Sequence, residues 1–401
     1  MRVLLGAFGD PGHTFPVIAL GRALRARGHE VVVQTWVRWE PHVRAEGLGF
    51  SAAPEYDVFP TLGRHLKPYE AVVRATRDTL PLVQEVEPDV VVADILTLAP
   101  ALAGELSGVP VATLVPHVDP RPDPGFPPYS IGARRPRTPV GRALWGRVDG
   151  LVSRGLLQGQ RELNETRELL GLRRLDHVHG GISRALCLVG TFPQLEYPRT
   201  RRLPGTHVVG PLQWEPPTAQ APLPPGDAPL VLVAPSTSQD RDHRLLRAAL
   251  AGLAELPVRV LATWNRRVPD PPVEVPRNAT LVEWVSYART MPRCDVVVCH
   301  GGHGTVVRAL TSGAVVVAAP AAGDMNENAA RIDWAGCGVR VPRLAVGPRA
   351  LRLATGRALG DRRLATRAAD LAAWAAAHDA GDRAATLVEE LAATGRPVLS
   401  A

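Results

Sequence analysis

The stretch Val296-Val297-Val298-Cys299-His300-Gly301-Gly302-His303-Gly304-Thr305-Val306 decides the fold of this chain. Three valines and a cysteine in unbroken succession read as a strand buried on both faces, the mark of a parallel sheet. Three glycines then turn the chain, and Val306 to Leu310 resumes with helical spacing. Glycines permit close backbone approach, and a helix start presents unpaired N–H groups with partial positive charge. Strand, turn and helix start together make a seat for a phosphate or diphosphate that needs no lysine.

Working outward, similar apolar runs recur at Val31–Thr35, Val90–Ala93, Val109–Leu114, Leu230–Ala234, Val258–Ala262 and Val315–Ala319, with a first strand directly after Met1. Amphipathic patterns lie between them. In Pro16 to Arg27, for example, Val17, Leu20, Gly21 and Leu24 share one face behind a proline expected at the helix start. Strand alternating with helix predicts an α/β fold with parallel sheets.

Prolines 216, 217, 222, 224 and 225 crowd a segment that cannot be regular helix or inner strand. A strand–helix series starts at Arg2 and afresh at Leu230, so two doubly wound, Rossmann-like domains are expected to face each other across a crevice. The boundaries read as 1–212 for the N-terminal domain, 213–229 for the linker and 230–401 for the C-terminal domain, whose terminal helices are candidates for packing back on the first domain. A second irregular region, Pro116 to Pro139, has the length of a functional loop. From Ala350 to Leu391 the chain reads as helix broken at Gly360 and Gly381, with Asp382 placed to cap the last segment.

Composition narrows the function. The 401 residues carry 46 basic and 39 acidic side chains, a formal charge of +7, and Lys67 is the only lysine. Read along the chain the arginines are scattered, without stacking aromatics between them, which argues against nucleic acid as a partner. Cys187, Cys294, Cys299 and Cys337 form no C-x-x-C pair, so neither a zinc site nor a disulfide framework is expected, and free thiols suit a cytoplasmic protein. No apolar run reaches the roughly 20 residues of a membrane span.

Trp284-Val285, Cys294-Asp295 with the three valines, and His300-Gly301-Gly302-x-Gly304-Thr305 together resemble the donor signature of family 1, GT-B type, glycosyltransferases, among them bacterial enzymes that glycosylate natural products. Pro320, Asp324, Asn328-Ala329 and Gly336-x-Gly338-Val339 continue the pattern. The resemblance implies that a UDP- or dTDP-sugar binds the C-terminal half: His300, Gly302, Gly304 and Thr305 on the diphosphate, Trp284 and Val285 on the nucleobase, and Asp324 on the sugar. Where the family usually has glutamine this chain has Met325, which exchanges a polar contact for an apolar one. Ser236, directly after the strand Leu230–Ala234, serves either the diphosphate or, with Thr237 and Ser238, the cap of the next helix. Neither a metal nor another cofactor is implied.

The resemblance also makes Gly12-His13-x-x-Pro16 the acceptor-side motif, with His13 as general base. Glycosyl transfer asks for one, because an acceptor hydroxyl must lose its proton as it attacks the anomeric carbon, and imidazole titrates near neutrality. Asp94, ending the apolar run Val90–Ala93, falls on the sheet edge that carries the His13 loop and is expected to orient the ring; its other role would be to cap the helix that includes Leu98. A hydrophobic aglycone, polyketide or phenolic, is expected on Phe15, Tyr56, Phe59, Phe126 and Tyr129, with Trp36, Trp39 and Tyr69 as further apolar surface and His117 beside the pocket. Two other readings fit the same fold, a nucleotide-sugar epimerase and a non-catalytic sugar-nucleotide-binding accessory protein. Oligomeric state is not encoded in any pattern found.

Overall fold

The structure is a computed structural model that describes residues 1–54, 68–201, 203–236, 240, 242–265 and 267–400. Two parallel sheets organise them. The first contains β1 (Arg2–Gly6), β2 (Glu30–Thr35), β3 (Gly49–Ala52), β4 (Val90–Asp94), β5 (Val111–Val115), β6 (Cys187–Val189) and β7 (Thr206–Val208), in the order β3-β2-β1-β4-β5-β6-β7. The second contains β8 (Leu230–Ala234), β9 (Arg259–Thr263), β10 (Ala279–Val282), β11 (Val296–Cys299), β12 (Val315–Ala318) and β13 (Gly338–Arg340), in the order β10-β9-β8-β11-β12-β13. Both are doubly wound, and the strand order reverses between β1 and β4 in one sheet and between β8 and β11 in the other. Ligand crevices open at such switch points, beyond the carboxyl ends of the strands.

The central strands are buried along nearly their whole length, which is why they read as unbroken apolar runs. The strands that the sequence did not announce are short. β3, β7, β10 and β13 are edge strands of three or four residues that lack a continuous apolar stretch, and β6 is buried but only three residues long.

Two helix starts differ from expectation. The first helix spans Pro11–Ala26, so Pro11 takes the opening position assigned to Pro16, and Pro16 lies inside. The N–H that Pro16 lacks would have met the carbonyl of Gly12, which is exposed and can turn to water instead. His13 therefore belongs to the first turn of a helix rather than to a loop. The last helix spans Ala380–Thr394 with Gly381 inside it; Asp379 is the cap, its side chain accepting the Asp382 N–H at 2.9 Å.

That last helix packs on the N-terminal domain. Ala384, Leu387, Val388 and Leu391 share a core with Val17, Leu20 and Leu24, and Glu389 pairs with Arg27 at 2.6 Å and His29 at 2.6 Å. The proline-rich connection is anchored at its start, where Trp214 Nε1 donates to Glu46 of the first domain at 2.7 Å and Glu215 accepts from Ser286 of the second. All four cysteines are buried and free, their thiols pushed up to about 12 by burial. Among the described residues no helix is long and apolar enough to cross a membrane.

Candidate active site

On the N-terminal side the site grows from β1 and β4, neighbours in register at Gly6 and Ala93. β1 feeds the helix that carries His13, and β4 ends on Asp94, so both side chains arrive at one switch point. His13 Nδ1 donates to Asp94 Oδ2 at 2.7 Å. Asp94 is buried, and its other oxygen accepts the Leu96 N–H at 2.8 Å. The carboxylate thus steadies the turn after β4 and the imidazole together; it does not cap the Leu98–Leu106 helix, which starts after Thr97 with no side-chain cap. With Nδ1 engaged, His13 Nε2 is left without a partner among the described residues, free to take a proton.

The C-terminal side repeats the arrangement with different chemistry. β8 and β11 are in register at Ala234 and Cys299, and His300, following β11, donates from Nδ1 to the Ala234 carbonyl at 3.3 Å. Burial holds its pKa below the ordinary imidazole value. The ring lies over Gly302, where a Cβ would stand 2.3 Å from His300 Nε2, so a larger residue would displace the ring. Gly301 takes φ +80° beneath the Met325 carbonyl, again a glycine position. Gly302 caps the helix His303–Thr311, whose first turn holds no acid, and beyond Gly304 lies open space with nothing within 4 Å of a built Cβ. Its first-turn N–H groups have no partner within the helix, and Thr305 among them is buried.

Ser236 is buried at the end of β8, while Thr237 and Ser238 lie outside the described residues. The cap of the next helix comes from Asp240, which accepts the Arg244 N–H at 2.8 Å and the Leu245 N–H at 3.1 Å. Trp284 is half-buried and lies parallel to Tyr287, with ring centroids 6.5 Å apart. The Val285 side chain belongs to the domain core. Asp324 and Met325, both half-buried, open the helix Asp324–Ala335.

The aromatic candidates separate. Phe15, two residues beyond His13 and so on another side of the helix, packs edge-on against Trp39 (5.2 Å) and Trp214 (5.0 Å); it is a packing residue of the first domain. Trp39 is buried with Nε1 donating to Gly9 at 2.7 Å, and Trp36 lies over Gly9. Phe126 joins a cluster with Tyr197, edge-on at 6.1 Å, and Arg135, whose guanidinium stands 5.0 Å from its ring. Tyr129 reaches the site, stacking on His117 at 5.9 Å, with burial and then the nearby Asp324 raising its pKa. Tyr56, Phe59 and the side chain of Tyr69 lie outside the described residues.

Two histidines bridge the halves. The His117 ring meets His13 at 6.2 Å and His303 at 6.5 Å, and its Nδ1 donates to the Val118 carbonyl at 2.8 Å. His303 lies 3.3 Å from Asn328 Oδ1 through Nδ1 and 3.4 Å from the Gly190 carbonyl of the first domain through Nε2. Burial, then His117, lowers its pKa to about 3, so the ring is neutral with one N–H and serves one of these acceptors at a time. Arg331 is a second bridge, bonding the Leu195 carbonyl at 3.0 Å and Glu327 at 2.7 Å while its guanidinium covers Tyr197 at 3.7 Å. Neither His303 nor Arg331 has a role readable from sequence, because each is defined by contact with residues more than a hundred positions away. Among the described residues no group of three or more His, Cys, Asp or Glu is placed to hold a metal ion.

Residues 247–391 match the family described as erythromycin biosynthesis protein CIII-like, C-terminal domain. The chain is 30% identical to 4'-demethylrebeccamycin synthase of Lentzea aerocolonigenes over 97% of its own length and 99% of that protein's. It is 29% identical to O-mycaminosyltylonolide 6-deoxyallosyltransferase of Streptomyces fradiae, over 98% of each. Its fold is similar to that of the glycosyltransferase VinC solved in complex with dTDP, with a TM-score of 0.72 at 18% identity, over 98% of this chain and 100% of that one.

Proposed function

From the premise that this chain belongs to the GT-B natural-product glycosyltransferases, we propose that it transfers a sugar from a UDP- or dTDP-sugar to a hydroxyl of a small hydrophobic aglycone, with inversion, in the cytoplasm. The observation that carries this reading is the 2.7 Å bond from His13 Nδ1 to the buried Asp94, across the crevice from the acid-free start of the His303–Thr311 helix. His13 Nε2 takes the acceptor proton as the acceptor oxygen bonds to the anomeric carbon. The bond from that carbon to the diphosphate breaks on the opposite face, so an α-linked donor gives a β-glycoside.

The leaving diphosphate carries its charge onto the N–H groups of Gly302 to Thr305 and onto Ser236, donors oriented before reaction, with the His300 ring beside them. This arrangement calls for no metal. Trp284 and the Val285 backbone hold the nucleobase, and Asp324 with Met325 face the sugar. Tyr129 and Phe126 contribute to the acceptor side, together with Tyr56 and Phe59. The dTDP bound to the structural relative VinC supports a pyrimidine nucleotide donor.

Calorimetric titration with UDP, dTDP, GDP and NAD tests the donor half, with binding confined to UDP or dTDP expected. Incubation with UDP-glucose or dTDP-glucose and a panel of phenolic and macrolide acceptors then tests transfer, read as nucleotide release and a β-glycoside. Absence of all nucleotide binding overturns the reading. Nucleotide-sugar conversion without an acceptor would replace it with the epimerase.

A further inference from the structure

Within the fold the arginines are not evenly spread. Residues 134–161 hold seven arginines and a single acid, Asp149, a net charge of +6 in a chain whose total is +7. The remaining residues are thus close to neutral. The stretch forms the helix Pro139–Gly146 and the first half of the helix Asp149–Leu169, and from 139 to 163 no residue is fully buried. Val140 is 70% exposed, Leu144 55%, Leu151 65% and Leu157 50%.

Arg137, Arg142, Arg147, Arg154 and Arg161 are all exposed, and none takes part in an ion pair among the described residues. The one acid is engaged, Asp149 accepting the Gly125 N–H at 3.2 Å. Aliphatic side chains left in water beside unpaired arginines form the pattern of helices that lie in a membrane interface, leucines in the acyl boundary and guanidinium groups among anionic headgroups.

We infer that the helix Pro139–Gly146 and the first half of the helix Asp149–Leu169 are a peripheral docking surface for an anionic lipid bilayer. Charge complementarity selects this occupant. A second copy of the chain would set these five unpaired arginines against five more, and nucleic acid would satisfy the arginines but not four exposed aliphatic side chains. The position is also apt. Thr138, whose hydroxyl accepts the Gly141 N–H at 3.1 Å, starts the first helix at the end of the loop that carries Phe126 and Tyr129, and Gly125 in that loop lies against the Arg142 backbone. Docking would hold this loop, at the mouth of the crevice, beside the lipid. The inference does not rest on sugar transfer.

Co-sedimentation of the full chain with vesicles tests it. Vesicles of phosphatidylcholine mixed with phosphatidylglycerol should carry the protein down at low salt, and phosphatidylcholine alone should not. Raising the salt should release it. The double variant Arg142→Gln, Arg147→Gln should weaken partition by about 30-fold, at roughly 1 kcal/mol for each arginine near the surface. Leu144→Glu with Leu151→Glu should abolish it. Because these side chains are exposed, the melting temperature of each variant should match the parent, which separates lost docking from lost folding. No binding to the mixed vesicles, equal binding by the arginine variants, or a dimer in sedimentation that Leu144→Glu dissolves would each overturn the inference.

Discussion

The two switch points of this molecule are built alike and equipped differently. Each places a histidine beyond the carboxyl end of a central strand, and each histidine donates from Nδ1 to a group on the neighbouring strand. For His13 that group is the Asp94 carboxylate at 2.7 Å; for His300 it is the Ala234 carbonyl at 3.3 Å. A carboxylate can balance a proton gained at Nε2, whereas a carbonyl offers only its dipole. In the proposed reaction one fold element therefore yields a base on the acceptor side and a neutral ring on the donor side, and the second atom of contact decides which.

The largest expected effect breaks the first half of that comparison. His13→Ala should lower kcat by about 10³, within the usual contribution of a general base, while UDP or dTDP affinity stays unchanged because the proposed nucleotide site lies in the other domain. Calorimetry and turnover on one preparation check both; equal loss of nucleotide affinity would end the division of labour. Asp94→Asn keeps the shape and removes the charge. It should lower kcat by about 10², at the modest end of that range, because an amide can accept from Nδ1 but cannot balance the imidazolium.

The comparison extends to His303, whose ring is held neutral at the domain junction. Its folded pKa of about 3 lies below the ordinary value of 6.5, so the unfolded chain takes up its proton first as pH falls. The stability this supplies is complete above about pH 6.5 and is lost progressively towards pH 3. By pH 5 the loss should reach about 2 kcal/mol, and His303→Gln should flatten that limb in urea titrations at several pH values. A limb of unchanged slope would mean that other groups govern the acid response.

How much of this was legible follows from what each element depends on. The strands at Val90, Leu230 and Val296 announced themselves, because a strand covered on both faces must be apolar throughout. The His300 turn was legible for a similar reason, since glycines at 301 and 302 answer to a positive φ and to a ring lying overhead. The start of the first helix was misread because two prolines compete for its opening and only the fold shows that Pro16 can be spared its hydrogen bond. Phe15 looked like pocket and proved to be packing, since its neighbours Trp39 and Trp214 come from distant parts of the chain. His303 and Arg331 act across the domain junction, and no local pattern reports on a partner in another domain.

The smallest expected effect is the sharpest test of the contrast. As drawn, His300 keeps its one proton on Nδ1 for Ala234, so Nε2, over Gly302, has none to give to a diphosphate. It can donate by becoming an imidazolium, which burial and the adjoining helix start oppose while the Ala234 carbonyl, Asp324 and Asp240 favour it, or by moving its proton to Nε2 and giving up the Ala234 bond. An arriving diphosphate supplies the missing negative charge, so nucleotide binding should take up a proton. Affinity for UDP or dTDP should then fall as pH rises, by up to about tenfold for each pH unit over which His300 is protonated only in the complex, once the phosphate's own ionisation is accounted for. His300→Gln, which carries a permanent N–H, should bind with a flatter profile. Calorimetry in buffers of different ionisation enthalpy reads the proton directly. Equal heats in every buffer would mean that His300 stays neutral throughout, contacting the diphosphate, if at all, through its other tautomer.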